Sequence, residues 1–284
     1  MSKHRLFIAI GGLIGLLVFA SNATAQLIAY EGFDTAPGGV DGTSGATSFG
    51  WSGNWFGTTG TGTIMGGGQN YTDSNGVSLP TVGNSLIVGG AVNNATFRSL
   101  SSTISTGTVW ISFIGQISNG TNSTITPYGG LSLYDSGVEE IFIGDTFNTP
   151  STWAIQQAVG GPTSNSGVST TSTSLVVLRI DFLGAGDDNI YMFVNPDLGA
   201  GNEPAIGSAD ATLLGQTFQI DGVRFAAGDS VNGTTDTSMV ADELRIGQTF
   251  GDVAPAPEPT TLWTFSLSLG LVIAIFQRRR SRHA

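Results

Sequence analysis

The sequence predicts an all-β protein, an antiparallel jelly-roll β-sandwich, flanked by a short apolar segment at each end of the chain. Three observations support this fold class. The middle of the chain is rich in Gly, Thr, Ser and Asn, and its β-branched and aromatic residues come in short bursts between turn formers. None of these bursts has a helical period. Many strands without crossover helices favour two packed antiparallel sheets over a parallel α/β fold.

The N-terminal segment, residues 1–25, has the pattern of a secretory signal peptide. A basic start precedes an apolar run over residues 6–19, which is short for a permanent membrane span. Ala23 and Ala25 then give the small-x-small pattern that signal peptidase recognises. We expect cleavage after Ala25; the alternative is a retained N-terminal anchor.

Residues 26–253 are expected to form one sandwich domain. Within 109–113 the odd positions are apolar, as in a half-buried strand, and the nearly continuous apolar run over 175–183 predicts a central strand. The polar stretches 35–75, 160–174 and 229–237 are predicted to be surface loops, the first of them around short strands. The predicted strands are 27–33, 85–88, 95–100, 108–117, 130–134, 140–143, 153–157, 175–183, 190–195, 217–225 and 239–246.

The charge of this domain and its lack of imidazole and thiol groups exclude several functions. All 21 acidic residues lie between Gln26 and Pro259, against four arginines, which gives a net charge of −17 and disfavours nucleic acid and anionic lipid as partners. The chain has no cysteine, and its histidines, His4 and His283, lie at the two extremities. Disulfides, thiol nucleophiles, Ser-His-Asp triads and histidine zinc sites are therefore not expected.

No residue is predicted to be catalytic. A glycoside hydrolase needs two carboxylates that flank one glycosidic bond. The adjacent pairs Glu139–Glu140 and Asp242–Glu243 lie in or beside predicted strands, where neighbouring side chains point to opposite faces. We therefore expect that neither pair can flank one bond.

Two ligand hypotheses concern loop residues. No cofactor is expected unless it is calcium, for which Asp187 and Asp188 are candidate ligands, although a hairpin turn explains the same residues. Trp51, Trp55 and Tyr71 lie in a loop-rich region and are candidates for stacking on an extracellular polysaccharide, with burial in the core as the alternative.

The C-terminal segment combines three features in order. A Pro-Glu-Pro tripeptide, formed by Pro257, Glu258 and Pro259, lies in a stalk over residues 254–261. An uncharged apolar run within residues 262–277 is barely long enough to span a membrane as a transmembrane helix. A basic tail over residues 278–284 should remain in the cytoplasm. Its arginines are Arg278, Arg279, Arg280 and Arg282.

This arrangement resembles the PEP-CTERM sorting signal of Gram-negative bacteria. The resemblance implies that Pro257, Glu258 and Pro259 form the recognition motif of a membrane protease of the exosortase type. It also implies that the protein is anchored in the inner membrane before processing and is then at the cell surface or secreted. The alternative is a simple single-pass anchor with a Pro-rich stalk.

The ends of the domain carry a second resemblance. Residues 28–34 (IAYEGFD) and 241–250 (ADELRIGQTF) resemble the first and last strands of laminin-G-like, concanavalin-A-like domains. The resemblance implies that these strands lie side by side, with the stalk beside the N-terminus. We expect an exported surface or extracellular-matrix protein that acts by non-enzymatic adhesion or weak carbohydrate binding. The alternatives are a polysaccharide-active glycoside hydrolase and a structural coat protein.

Overall fold

A computed structural model describes residues 26–59, 62–90, 93–119, 126–147, 149–158, 160–184, 186–229 and 237–257. These residues form two antiparallel sheets packed face to face, which confirms the predicted all-β sandwich. No helix within these ranges is long and apolar enough to cross a membrane. Several predicted features lie outside the described residues: Ala23, Ala25, Glu258, Pro259, the predicted span over 262–277, and Arg278, Arg279, Arg280 and Arg282.

The described chain contains sixteen strands and one short α-helix. The first eight strands are β1 (Leu27–Glu31), β2 (Gly38–Gly39), β3 (Phe56–Thr59), β4 (Thr63–Met65), β5 (Ser85–Gly89), β6 (Asn94–Ile104), β7 (Gly107–Ser118) and β8 (Pro127–Asp135). The others are β9 (Val138–Thr146), β10 (Thr149–Gln157), β11 (Thr163–Ser169), β12 (Ser174–Phe182), β13 (Asp188–Val194), β14 (Ala211–Gln216), β15 (Ile220–Asp229) and β16 (Ser238–Gly247), followed by α1 (Phe250–Val253).

The strands divide into a first sheet of nine and a second sheet of seven. The first sheet has the order β14-β13-β12-β7-β16-β5-β4-β2, with β1 also paired to β16. The second sheet has the order β11-β10-β9-β8-β15-β6-β3. The predicted central position of residues 175–183 is confirmed, since β12 lies between β7 and β13.

Every predicted strand overlaps an observed one, and the short strands β2, β3 and β4 lie in the 35–75 segment, which was predicted to contain short strands. Two strands were not predicted. Residues 160–174, expected to be a surface loop, contain the edge strand β11, and β14 is the edge strand of the other sheet. Strand β11 has the sequence TSNSGVS, and none of its residues is fully buried. Strand β11 has only one apolar residue, Val168, and so lacks the alternation on which the prediction relied. Strand β14 is short, and only Ala211 and Leu213 of its apolar residues are buried.

The main core lies between the two sheets and contains the alternate side chains of each. Val109, Ile111 and Phe113 of β7 belong to it, as their spacing predicted. Phe113 packs edge-on against Phe225 of the second sheet at 5.9 Å between ring centroids. Trp55 packs against Phe225 at 6.1 Å. Aromatic rings of this size supply much of the apolar area that holds such sheets together.

The outer face of the first sheet is covered by a second, smaller core. Trp110 and Ile114, the alternate residues of β7, point away from the sandwich and pack with residues that include Phe250 and Val253 of α1. Ser112 lies between them and donates a 2.7 Å hydrogen bond to the Val253 carbonyl. This face is therefore used for packing.

The two ends of the described chain lie side by side. Strand β1 pairs with β16, and the backbone N–H of Gln26 donates to the Asp252 carboxylate at 3.0 Å. The same carboxylate accepts from the N–H groups of Gln248 and Thr249 and so caps α1. Pro257 is exposed beyond the helix. The predicted proximity of the two terminal strands is confirmed.

Candidate functional site

The outer face of the second sheet carries a row of polar and aromatic side chains that crosses five strands. Strand pairing places Ser132 of β8 opposite Arg224 of β15 on one side and Phe142 of β9 on the other. The row continues from Phe142 to Gln156 of β10, and from Arg224 to Phe97 of β6. Directly opposed residues on one face are in contact range, so these residues form a continuous strip.

The neighbouring row on this face contains only small residues. Gly130 pairs with Ala226 on one side and with Gly144 on the other, and Gly144 pairs with Ala154. Because side chains alternate along a strand, this row lies between the strip and the row that contains Tyr128. A depression of about 380 Å³ lies here. It is lined by Tyr128, Glu139, Phe142, Thr146, Phe147, Gln156, Ala158, Arg224 and Asp229.

A hydrogen-bonded ion pair lies at the centre of the face. Arg224 Nη2 donates to Glu139 Oε1 at 2.8 Å and to Ser132 Oγ at 3.2 Å, and Ser132 Oγ donates to the same Glu139 oxygen at 2.6 Å. The guanidinium lies 5.2 Å from the centre of the Tyr134 ring, within range of a cation–π interaction. Arg224 Nε is buried and has no hydrogen-bond partner among the described residues. The pair therefore holds its two side chains in fixed positions, with their charges balanced.

Aromatic rings lie on both sides of this ion pair. Phe97 packs against Tyr134 at 5.2 Å and against Phe56 at 5.1 Å between ring centroids. At the other end of β8, Tyr128 packs against Phe147 at 5.1 Å. Phe56 is 46% exposed and Phe147 is 38% exposed, so the aromatic rings at each end of β8 present ring surface to solvent.

The two tyrosines on this face remain protonated phenols at neutral pH. Burial is the largest cause that raises the pKa of both Tyr128 and Tyr134, and the nearby Arg224 charge only partly offsets it. Each hydroxyl can therefore donate and accept a hydrogen bond beside its apolar ring. Together the face offers ring surfaces, hydroxyls, an amide and an ion pair, the groups that suit a polyhydroxylated ligand.

The three aromatic residues predicted to stack on sugars lie elsewhere, and for Trp55 and Tyr71 the structure shows burial, the alternative explanation. Trp55 is 1% exposed between the sheets and donates its Nε1–H to Glu31 at 3.0 Å. Tyr71 is buried in the second core, and its hydroxyl donates to the Pro196 carbonyl. Trp51 is half-buried and donates its Nε1–H to the Tyr30 carbonyl. Their rings serve packing, because aromatic side chains bury large apolar areas.

The candidate calcium ligands lie at the hairpin turn that was their alternative explanation. Asp188 is buried, and its Oδ1 accepts from the N–H groups of Leu183 at 2.8 Å and Gly184 at 3.2 Å, so its carboxylate closes a hairpin turn. Asp187 is exposed beside it. No group of three or more acidic, histidine or cysteine side chains in the described ranges is placed to hold a metal ion.

Asp242 and Glu243 do not follow the strand alternation that the sequence predicted. A bulge interrupts the pairing of β16 with β7 here, and Glu243 has a left-handed φ of 53°. Both side chains are fully buried. Asp242 accepts from the N–H of Gln69 at 2.7 Å, and Glu243 accepts from the N–H of Val82 at 2.6 Å. Both carboxylates therefore anchor the 66–84 segment, which is a structural role.

No protein-family model matches this chain, and no curated protein is similar to it. Among solved structures, the endo-β-1,4-glucuronan lyase of Trichoderma reesei is 11% identical with a TM-score of 0.44, over 80% of this chain and 100% of that one. The botulinum neurotoxin type G receptor-binding domain is 11% identical with a TM-score of 0.37, over 64% and 43% of the two chains. The Emp47p carbohydrate recognition domain is 8% identical with a TM-score of 0.36, over 63% and 87%. Similarities of this strength say nothing about what this chain binds.

Proposed function

We propose that this chain is a non-enzymatic carbohydrate-binding protein with its binding site on the outer face of the second sheet. The contrast between the two outer faces carries the proposal. Helix α1 covers part of the first sheet. The second sheet instead has a depression with partly exposed aromatic rings on two sides of an ion pair. Apolar ring faces combined with a few fixed polar groups are typical of ligand sites.

Sugar rings suit this face because they have apolar C–H faces and hydroxyl edges. Tyr128 and Phe147 offer ring surface for stacking. Gln156, Ser132 and the Arg224–Glu139 pair offer donors and acceptors for the hydroxyls. A rigid site of this kind loses little side-chain entropy on binding.

We further propose that the domain is a concanavalin-A-like jelly roll that is exported and processed as its terminal segments indicate. The pairing of β1 with β16 supports the laminin-G-like arrangement. Pro257 is exposed at the end of the described chain, five residues after Asp252, whose carboxylate accepts a hydrogen bond from the N–H of Gln26. A protease of the exosortase type would then reach the stalk from the membrane side, and the domain would act at the cell surface or in the extracellular matrix.

The binding proposal is tested with Tyr128→Ala and a matched control, Tyr191→Ala. Both tyrosines are half-buried, but Tyr191 packs on the outer side of the first sheet. Retention on a panel of immobilised polysaccharides should fall for Tyr128→Ala and stay unchanged for Tyr191→Ala, with circular dichroism confirming that both are folded. Equal retention of both variants and the unmodified protein would contradict the proposed site.

The hydrolase alternative has one supporting observation, since Glu139 and Asp229 line the same depression. Glu139 already accepts hydrogen bonds from Arg224 and Ser132, however, as a structural carboxylate would. Bound polysaccharide should therefore show no release of reducing ends. Release that Glu139→Gln abolishes would favour the hydrolase, and ordered self-assembly without sugar affinity would favour a coat protein.

A further inference from the structure

We propose that the outer face of the second sheet binds an extended, uncharged polysaccharide chain that contacts two aromatic groups at once. The first aromatic group is Tyr128 with Phe147, and the second is Tyr134 with Phe97 and Phe56. This inference rests on the proposed carbohydrate-binding function and specifies its ligand class. It depends on the spacing of the aromatic groups and on the charges between them.

The spacing follows from strand β8. Tyr128 and Tyr134 are six residues apart on this strand, so both point to the outer face. At about 3.4 Å per residue the two positions are roughly 20 Å apart. Phe147 extends one group, and Phe97 and Phe56 extend the other. A single sugar cannot reach both groups, but an extended chain can.

The position of Phe97 in the second aromatic group depends on a glycine. Gly222, the β15 partner of Tyr134, has no side chain, and any Cβ there would clash with the Phe97 ring. The glycine therefore lets this ring lie against the strand, where it contacts Phe56 and Tyr134. Phe56 keeps 46% of its surface exposed, which gives a shallow ring platform beyond the depression.

The charges between the groups favour an uncharged ligand. The depression is lined by two carboxylates, Glu139 and Asp229, and by one guanidinium, Arg224. Glu139 already balances the charge of Arg224 at 2.8 Å. The domain as a whole carries 21 acidic side chains against four arginines. A uronate polymer would meet repulsion on approach and no unbalanced cation at the site.

The test measures affinity by calorimetry for the full-length protein with neutral oligosaccharides of increasing length. Glucan, mannan, xylan and galactan fragments serve as neutral probes, and alginate and polygalacturonate as acidic ones. We expect affinity for one neutral series to rise with length until both aromatic groups are bridged, then to level off, with little dependence on salt. Equal or tighter binding of an acidic probe, weakened by salt, would overturn the uncharged ligand class.

Phe56→Ala and Phe49→Ala form a matched pair, since each phenylalanine is 46% exposed and only Phe56 belongs to the site. Phe56→Ala should bind long oligosaccharides roughly threefold to tenfold more weakly and short ones unchanged. Phe49→Ala should match the unmodified protein at every length. A length-independent affinity that Tyr128→Ala abolishes would overturn the extended mode and leave the binding function standing. Absence of binding to any probe would overturn both.

Discussion

Replacement of the buried Arg98 by Met should strongly destabilise the domain. Arg98 is 3% exposed and pairs with the fully buried Glu31. Its other donors go to the Gly53 carbonyl at 2.8 Å and to the hydroxyls of Ser48 at 2.8 Å and Ser44 at 2.7 Å. Removal of one partner leaves a buried, uncompensated carboxylate, which costs about 3–5 kcal/mol. In a domain of this size the melting temperature should fall by roughly 10 °C.

Urea unfolding followed by tryptophan fluorescence measures this loss, since Trp51 and Trp55 flank the guanidinium at 5.2 and 5.7 Å. Arg179→Met is the control: Arg179 is partly exposed and pairs with Asp181 at 3.0 Å and with the exposed Glu203 at 3.5 Å, so its loss should lower the free energy of unfolding by only about 1 kcal/mol. A Glu31→Leu, Arg98→Met double variant should recover part of the loss, because it buries no unpaired charge. Equal unfolding midpoints for Arg98→Met and Arg179→Met would refute the reasoning.

Three further predictions concern pH, backbone and helix contacts. Burial raises the pKa of Asp242 from 3.8 to about 8, so the free energy of unfolding should fall as pH rises from 3.8 to about 8. Urea unfolding of Asp242→Asn should show a flatter dependence on pH. The same pH dependence in the variant and the unmodified protein would contradict this. Gly89→Ala should lower the melting temperature more than Gly90→Ala. Both glycines have a left-handed φ, but only at Gly89 would a Cβ meet a backbone oxygen. A larger loss of melting temperature for Gly90→Ala would contradict this. Ser112→Ala removes the hydrogen bond to the Val253 carbonyl, so it should lower the free energy of unfolding by about 1 kcal/mol and speed proteolysis after Val253. An unchanged rate of proteolysis would contradict a stabilising role for this hydrogen bond.

The main strands of the fold could be predicted because their core residues alternate. In β7 the apolar odd positions face the main core, and β12 is apolar from Leu175 to Leu178 because both of its faces are covered there. Strand β11 escaped prediction because Val168 is its only apolar residue. The bulge at Asp242 and Glu243 also escaped, because buried hydrogen bonds to a distant loop stabilise it and these have no local signal.

The candidate site could have been found only in part. Strand β8 alternates as Tyr128-x-Gly130-x-Ser132-x-Tyr134, which indicates an outer face with aromatic ends and a small centre. Its partners Arg224 and Phe97 come from strands far apart in sequence, so their positions depend on register. Pairing of this kind cannot be derived from one sequence.

Hydroxyl-radical footprinting of side chains tests the central claim most directly, because it reports the solvent exposure of individual aromatic residues. The protein is compared with and without the polysaccharide that it retains best. We expect lower oxidation of Tyr128, Tyr134, Phe147 and Phe56, with Phe49 unchanged. Protection of Phe49 or Tyr191, with the four residues of the second sheet unaffected, would contradict the account.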